Sequence, residues 1–330
     1  MESIIINTNQ SRRILIYLLC LFAIFLSGMR DISLLPEGND TPTYEKVYSE
    51  CSKKSWGEVL MAPISFNSDY EERDAGYPIL IKITQFFVDD FTFFMFLTSS
   101  VFIAAIGFLI DKYVKTHLGV ILSFLIYYAL FTNIVNSFMR QAIALSIVIF
   151  ALKYIVSRDW KRYFALLLVT FTIHSSVIVA IPFYFLPRFS TNRKWLLVSI
   201  IISPFLVLCV RFIMILFLTG SVYEQYSEAN VESPINYILL IYVVSVLVFL
   251  YYYRIIEIED SEILVSAAIG SMFLLPIAFF GNTLLRVSYY YVVYLIVLIP
   301  AIIENLELNK SIRLLAFSFS ISFFLYFILR

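Results

Sequence analysis

The sequence predicts an all-α polytopic membrane protein, and three observations support that fold class. Hydrophobic residues make up 61% of the chain and charged residues only 15%, whereas a soluble domain carries roughly 25% charged residues. Apolar runs of about 20 residues recur along the chain, and a helix of that length crosses a hydrocarbon core of roughly 30 Å. The runs are continuous rather than alternating, which favours helices over a β-barrel.

Charge and motif content exclude several function classes. The formal net charge is zero, so no basic surface for nucleic acid is expected. Three cysteines and two histidines show no metal-like spacing, and we expect neither a metal nor a cofactor. The sequence contains no Walker loop, no Gly-rich nucleotide turn, no HExxH and no DxD-like pair of carboxylates. These absences argue against ATP-driven transport and against a cytoplasmic nucleotide-sugar transferase.

The N-terminal apolar run resembles a signal peptide but is interpreted as an uncleaved first span. Arg12 and Arg13 precede the apolar stretch 14–26, and no small-x-small cleavage site follows before Arg30. The two arginines should stay in the cytoplasm by the positive-inside rule. We expect residues 1–330 to form a single integral membrane domain.

Two polar segments should form the loops on the outer, periplasmic side. The first, residues 30–76, holds ten carboxylates against five basic residues. The second, residues 220–233, contains no Lys or Arg. The apolar segments around them predict about nine to ten transmembrane helices. The expected crossings are 14–26, 91–110, 118–131, 139–155, 195–218, 235–253, 263–280, 287–303 and 314–329, and the short segment 77–88 should only dip into the outer half of the membrane.

Residues 163–187 decide the orientation of every later span. As one helix, residues 163–186 would reach about 36 Å and cross. As a half-depth re-entrant hairpin that turns at His174-Ser175-Ser176, they would keep both flanks in the cytoplasm. With the hairpin, the later inner loops hold six basic residues and the outer loops only Arg286, and a single crossing reverses that ratio. The positive-inside rule therefore favours the hairpin.

Ionisable side chains within or at the edge of spans are functional candidates by default, because burying them in lipid costs several kcal/mol. Four arginines qualify, and the hairpin topology places them all in the outer half of the membrane: Arg30, Arg140, Arg211 and Arg286. A guanidinium fork suits phosphate oxygens, so these arginines predict a diphosphate site at headgroup depth. Alternatively, Arg30 and Arg286 snorkel at the interface and only orient their spans.

Two side chains are candidates for acid–base chemistry. Asp40 lies in a turn-rich run, residues 38–44, that would place a carboxylate over the mouth of a cavity. His174 would sit at the tip of the hairpin and act as a base or as a donor to phosphate. It equally fits a packing role between two half-helices. The other nine carboxylates of the first outer loop are expected to be mostly solvated.

Four short segments, taken in order, resemble the EpsG-like branch of the Wzy O-antigen and exopolysaccharide polymerases. They are Gly28-Met29-Arg30 with the run 38–44, residues 138–144, residues 171–176 and residues 282–290. This resemblance implies a multispanning glycosyltransferase that joins oligosaccharide repeat units carried on undecaprenyl diphosphate at the periplasmic face, without metal or nucleotide sugar. Its partners would be the lipid-linked oligosaccharides and the bilayer, with a chain-length regulator as a further candidate.

The resemblance picks out five residues that the membrane argument also selects: Arg30, Asp40, Arg140, His174 and Arg286. The expected catalytic set is Asp40, His174, Arg140 and Arg286. The side chains expected to bind diphosphate or sugar are Arg30, Tyr44, Gln141, Arg211, Asn282 and Tyr289. In this scheme arginines stabilise the departing diphosphate, and Asp40 or His174 takes the proton of the acceptor hydroxyl.

Two other classes stay open. A flippase for lipid-linked sugars could also hold diphosphate with arginines, and its mark would be inverted halves with interrupted helices in matching positions. The sequence shows one clear interruption, at His174, and no counterpart in the second half. A polytopic acyltransferase would need an intramembrane base, for which His174 is the candidate.

Overall fold

The computed structural model describes residues 2–34, 39–61, 74–218, 234–278, 282–306 and 309–329. Within these ranges every regular element is a helix, which confirms the predicted all-α class. The chain divides into two compact units, one formed by Met1–Ile181 with Ile321–Arg330 and the other by Pro182–Ser320. The expectation of one membrane domain over residues 1–330 stays a prediction.

The first unit contains the N-terminal helices and most of the candidate site. In chain order its helices are α1 (Glu2–Gly28), a 3₁₀ turn (Ile32–Leu34), α2 (Thr41–Lys53), α3 (Trp56–Met61), α4 (Gly76–Phe87), α5 (Phe91–Tyr113), α6 (His117–Leu130), α7 (Thr132–Ser137), α8 (Met139–Val156) and α9 (Trp160–Ile173). A 3₁₀ helix, Ser175–Tyr184, follows α9 and runs into the second unit.

The helices of the second unit vary in length. They are α10 (Pro187–Ser190), α11 (Arg193–Leu218), α12 (Ile235–Leu250), α13 (Tyr252–Ile255), α14 (Ser261–Ala278), α15 (Asn282–Val292) and α16 (Leu295–Asn305). The last helix, α17 (Lys310–Leu329), returns to the first unit near its end.

Several of these helices are long and apolar enough to cross a membrane. Among the described residues, four qualify on length and composition: Asn9–Gly28, Phe91–Tyr113, Met139–Val156 and Ser261–Ala278. A fifth span results if Leu285–Val292 and Leu295–Asn305, which are bent by 40°, count as one. The polytopic class is thus confirmed, with four or five candidate crossings among the described residues. Some expected crossings are shorter apolar helices, namely His117–Leu130 and Ile235–Leu250.

The span expected at residues 287–303 is instead two helices. α15 ends at Val292 and α16 begins at Leu295. Across the break the backbone makes bonds of the i to i+3 type, from Tyr294 N–H to the Tyr291 carbonyl at 3.4 Å and from Ile296 N–H to the Val293 carbonyl at 3.2 Å. Neither Gly nor Pro stands at the break, so the apolar run gives no sign of it. The expectation that the second half has no interruption is wrong.

An aromatic and aliphatic core holds α2 and α4 of the first unit against its long helices α5 and α8. It includes Tyr44 and Tyr48 of α2, Tyr77 of α4 and Phe94 of α5. Their rings meet edge to face or tilted, with centroids 5.5–5.9 Å apart. Such aromatic pairs add about 0.5–1.5 kcal/mol beyond the burial of their surface. Because α8 and α9 contribute to the same core, the outer segments are fixed to the helix ends that carry the candidate site.

The chain reverses direction at His174. This residue is extended, with φ −155° and ψ 109°, between the end of α9 and the 3₁₀ helix. The hydroxyl of Tyr163 donates to the carbonyl of Ala180 at 2.8 Å, whereas a straight α-helix would separate these residues by about 25 Å. The two arms therefore lie side by side. The half-depth position of this turn in the membrane stays a prediction.

Candidate functional site

Three helix ends meet at one carboxylate in the first unit. Asp74 lies just before α4, Arg140 lies in the first turn of α8, and His174 follows the last residue of α9. Residues at helix ends carry backbone groups without intrahelical partners, so these ends are suited to binding polar groups. The side chain of Asp74 is 7% exposed, that of His174 is 24% exposed and that of Arg140 is 34% exposed.

The two oxygens of Asp74 have different partners. Arg140 Nη1 donates to Oδ2 at 2.9 Å. His174 Nδ1 approaches the same oxygen at 3.5 Å. The backbone N–H of Ser175 donates to the other oxygen, Oδ1, at 3.2 Å. One carboxylate thus contacts a fixed cation, an imidazole and the backbone of the hairpin turn.

The balance of these contacts sets the charge of Asp74. Burial opposes ionisation and by itself would raise the pKa of the carboxyl. The hydrogen bond with His174, the positive charge of Arg140 and the Ser175 N–H act in the other direction and outweigh it. The pKa of Asp74 therefore lies below its ordinary value of 3.8, and the group is an anion at neutral pH.

Two tyrosines hold the guanidinium of Arg140. Its Cζ lies 5.6 Å from the centre of the Tyr44 ring and 5.8 Å from that of Tyr77. The two rings meet edge to face with centroids 5.7 Å apart. Each cation–π contact contributes about 0.5–2 kcal/mol, depending on exposure. The guanidinium is thus held by the two tyrosine rings and by Asp74. The adjacent Gln141 is buried in α8.

A second arginine lies where the outer loop packs on α7. Arg30 donates to the carbonyl of Ser27 and, at 3.5 Å, to the hydroxyl of Thr41. That hydroxyl donates to the Asn136 carbonyl at 2.6 Å. The backbone N–H of the preceding Asp40 donates to the Ser137 hydroxyl at 3.1 Å. In the described part of the chain, no carboxylate forms an ion pair with Arg30.

Four buried polar atoms without hydrogen-bond partners lie in the same region. Among the described residues, the Nε atoms of Arg30 and Arg140, the hydroxyl of Tyr77 and the Oδ1 of Asn136 have no hydrogen-bond partner. The Tyr77 hydroxyl is close enough to both arginines to be influenced by their charges. A buried polar group left unpaired costs about 1–3 kcal/mol, so each such group requires an explanation. A site shaped for a polar ligand provides one.

The structure places six of the ten site residues expected from the sequence in the first unit, on or beside α2, α7, α8 and α9. They are Arg30, Asp40, Tyr44, Arg140, Gln141 and His174.

The other candidates are divided between the second unit and undescribed positions. Arg286 and Tyr289 lie on α15 of the second unit, where the Tyr289 ring meets that of Tyr237 at 6.3 Å. The side chains of Arg211 and Asn282 lie outside the described residues, as do residues 35–38, 62–73 and 219–233, which belong to the expected outer loops.

Sequence reasoning missed Asp74. It was grouped with the solvated carboxylates of the outer loop, and for Asp74 that expectation is wrong because the residue is 6% exposed. The available signal was its position, directly before Ala75-Gly76 and an apolar helix. Gly76 lets α4 approach α9 closely, since a Cβ at this position would lie 2.3 Å from the Thr172 hydroxyl. That close packing places Asp74 against His174.

Within the described residues, no three His, Cys, Asp or Glu side chains converge as a metal site would require.

Comparisons with known proteins identify the family. No curated protein sequence and no solved structure matches the chain. A family model described as the EpsG family matches residues 13–330. The chain therefore belongs to the EpsG family, and this membership indicates a membrane glycosyltransferase-like protein with a polysaccharide-polymerase role.

Proposed function

We propose that this protein polymerises a polysaccharide from repeat units carried on undecaprenyl diphosphate, at the periplasmic face of a bacterial inner membrane. One lipid-linked chain is the donor, and a sugar hydroxyl of a second lipid-linked unit is the acceptor. The bond between the anomeric carbon and the diphosphate oxygen breaks, and its electron pair leaves with the diphosphate. A new glycosidic bond forms to the acceptor oxygen.

The observation that supports this proposal is the Asp74–Arg140–His174 cluster, in which two tyrosine rings contact the guanidinium. Arg140 is paired with Asp74, whereas Arg30 forms no ion pair with a carboxylate of the described residues, so its positive charge is available to an anionic ligand. A diphosphate leaving group gains negative charge in the transition state. Guanidinium groups that are already held in place stabilise that charge without having to reorganise. Arg211 and Arg286 remain candidates for the same role.

The acceptor hydroxyl must lose a proton as it attacks. Of the two expected bases we favour His174, because its ring lies next to the Arg140–Asp74 pair. His174 Nδ1 faces a carboxylate, which leaves Nε2 to accept the hydroxyl proton. The proton can then pass to the released diphosphate, which restores the neutral ring.

The proposal is tested by replacing Arg140. In cells, Arg140→Ala is expected to abolish the ladder of long chains on the surface glycolipid and leave single repeat units, at normal protein levels. Arg140→Lys keeps the charge but loses the fork geometry and should shorten the ladder. Arg162→Ala is the matched control, because Arg162 lies in the first turn of α9, is 71% exposed and pairs with the neighbouring Asp159. A full ladder in the Arg140→Ala strain contradicts the assignment.

The break between α15 and α16 favours a second candidate, a flippase for lipid-linked oligosaccharides. In its described residues each unit contains an interrupted apolar run, at His174 in the first and at residues 293–294 in the second. Interrupted helices in both halves are a feature of many transporters. Deletion of the gene separates the two functions, because loss of a polymerase leaves single repeat units on the surface and loss of a flippase leaves none.

A further inference from the structure

A single oxygen of Asp74 is shared unequally by two nitrogen donors. Arg140 Nη1 makes a full hydrogen bond to Oδ2 at 2.9 Å, whereas His174 Nδ1 stands at 3.5 Å, the outer limit for such a bond. The other oxygen accepts the Ser175 N–H and anchors the carboxylate to the turn that carries the histidine. His174 is thus next to a carboxylate oxygen that already accepts a hydrogen bond from Arg140.

This arrangement defines how the imidazole can be protonated. Nδ1 must carry a hydrogen for its contact with the carboxylate to be attractive, so Nε2 holds the lone pair. Among the described residues, no hydrogen-bond partner is recorded for Nε2. A stronger bond from Nδ1 to Asp74 would fix the ring orientation and make Nε2 a better proton acceptor, as carboxylate–histidine pairs do elsewhere.

A diphosphate at Arg140 would release that oxygen. Phosphate oxygens compete with Asp74 for the guanidinium fork. As Nη1 turns to the phosphate, the buried carboxylate loses its main partner, and His174 is the nearest donor that can replace it. An approach of roughly 0.6–0.8 Å converts the 3.5 Å contact into a full hydrogen bond.

We propose that Asp74 is a positioning residue that couples binding of the diphosphate donor at Arg140 to activation of His174 as the base. The inference rests on the proposed function and adds an order to it, because the base becomes competent only after the donor is bound. Such coupling keeps His174 from acting as a base before a donor occupies the site. Coupling between two sites typically amounts to about 5- to 150-fold in an equilibrium constant.

Steady-state kinetics with purified protein and lipid-linked repeat units test the positioning role. Asp74→Asn keeps the size of the side chain but removes its charge. We expect kcat to fall by at least about 100-fold, in line with loss of general base catalysis. The KM for the donor should stay the same or fall, because Arg140 no longer has an anionic competitor.

Two further variants control this kinetic test. Asp74→Glu retains a carboxylate and should recover part of kcat, whereas a merely structural role for Asp74 predicts less folded protein at unchanged kcat per folded molecule. Asp31→Asn is the matched control, since Asp31 is an exposed aspartate of the same outer segment that bonds only locally to Ser33. A wild-type kcat in folded Asp74→Asn protein overturns the proposal.

A spectroscopic test measures the hydrogen bonding of His174 directly. The chain has two histidines, so His117→Gln leaves His174 as the only ring in protein labelled with ¹⁵N-histidine. Geranylgeranyl diphosphate is added to this protein in lipid nanodiscs, and geranylgeraniol serves as the control without phosphate. The Nδ1 resonance should shift toward a strongly hydrogen-bonded donor with the diphosphate only, and this shift should be absent in Asp74→Asn.

The outcomes separate this inference from the proposed function. If the diphosphate shifts the Nδ1 resonance but the wild-type protein makes no polymer from lipid-linked units, the polymerase assignment fails and the coupling stands. If the protein polymerises but the resonance does not respond, or responds equally in Asp74→Asn, the coupling is wrong and the polymerase assignment stands. Failure of the probe to bind also overturns the coupling.

Discussion

The carboxylate of Asp74 and the guanidinium of Arg140 lie 2.9 Å apart although 66 residues separate them in the chain. This contact joins the end of the first outer loop to the first turn of a candidate membrane span. Breaking this ion pair is costly, because it leaves the buried charge of Asp74 without its cationic partner. The pair therefore fixes the end of this loop to the Arg140 guanidinium, which we propose binds the diphosphate.

Acid should weaken this link at a defined pH. The pKa of Asp74 is lower in the folded chain than its ordinary value of 3.8, so the unfolded chain binds its proton first. The stabilising contribution is therefore complete above the ordinary value and is lost as the pH falls below it toward the folded pKa. We expect the melting temperature of the purified protein to drop in this range. Thermal unfolding followed by circular dichroism at a series of pH values measures this drop.

The Asp74→Asn variant supplies the control for the acid experiment. It has no carboxyl at this site to titrate, so its melting temperature should start lower and change less over the same pH interval. Asp31→Asn should behave like the wild type, because Asp31 is exposed. Equal pH dependence in the wild type and in Asp74→Asn would contradict the assigned role of the carboxylate.

Much of the fold follows from the sequence because continuous apolar runs have few alternatives in lipid. The run 139–155 predicts α8 to within one residue at its end, and the run 91–110 predicts the start of α5. The polar His174-Ser175-Ser176 triplet marks the place where α9 ends. The break at residues 293–294 could not be predicted, because no Gly or Pro marks it in the sequence. It occurs where fully buried tyrosines such as Tyr290 and Tyr294 pack against other elements.

The sequence predicts some residues of the candidate site but not Asp74. Arginines and a histidine in apolar runs stand out, since each is costly there without a partner. Asp74 does not stand out, because a carboxylate in an acidic loop looks like its nine neighbours. Its burial depends on the close approach of α4 to α9, and spacing along the chain does not encode such an approach. Asp40 stood out through its turn-rich surroundings, which serve to pack the loop on Ser137.

The close approach of α4 to α9 makes Gly76 sensitive to substitution. A Cβ there would lie 2.3 Å from Thr172 Oγ1 and 3.0 Å from the Thr172 backbone carbon. Gly76→Ala should push the start of α4 away from α9 and destabilise the fold by about 1–3 kcal/mol, as overpacking does. It should also separate Asp74 from His174 and reduce chain elongation. Chemical unfolding in detergent and the surface ladder measure the two effects.

Two variants show whether the effect at Gly76 comes from the contact with Thr172. Gly57→Ala should be close to neutral, because a Cβ there meets only the Ser55 hydroxyl, at 3.9 Å. The double variant Gly76→Ala/Thr172→Ala removes the nearest atom and should recover part of the stability. It should not recover all of it, since the backbone carbon of Thr172 remains. Equal losses in the single and the double variant would place the strain elsewhere.

The hydrogen bond between Tyr163 and Ala180 should hold the two arms of the hairpin together. Tyr163 is fully buried, and its hydroxyl donates to the Ala180 carbonyl at 2.8 Å. Tyr163→Phe leaves that carbonyl without this donor, at a cost of about 1–3 kcal/mol. We expect faster amide hydrogen exchange in residues 175–184, with little change in α5. Tyr17→Phe is the control because Tyr17 is 65% exposed, and unchanged exchange in Tyr163→Phe would show that other contacts close the hairpin.

The hairpin topology has a consequence that reporter fusions can check. If residues 163–187 turn back within the membrane, a green fluorescent protein fused after Asn192 should fluoresce and an alkaline phosphatase fused there should be inactive. A fusion after Lys115, in an earlier loop that is expected to be cytoplasmic, should give the same pattern, because both loops are basic. The opposite pattern after Asn192 would make residues 163–187 a single crossing. It would also turn Arg286 toward the cytosol, where it could not bind a diphosphate presented at the periplasmic face.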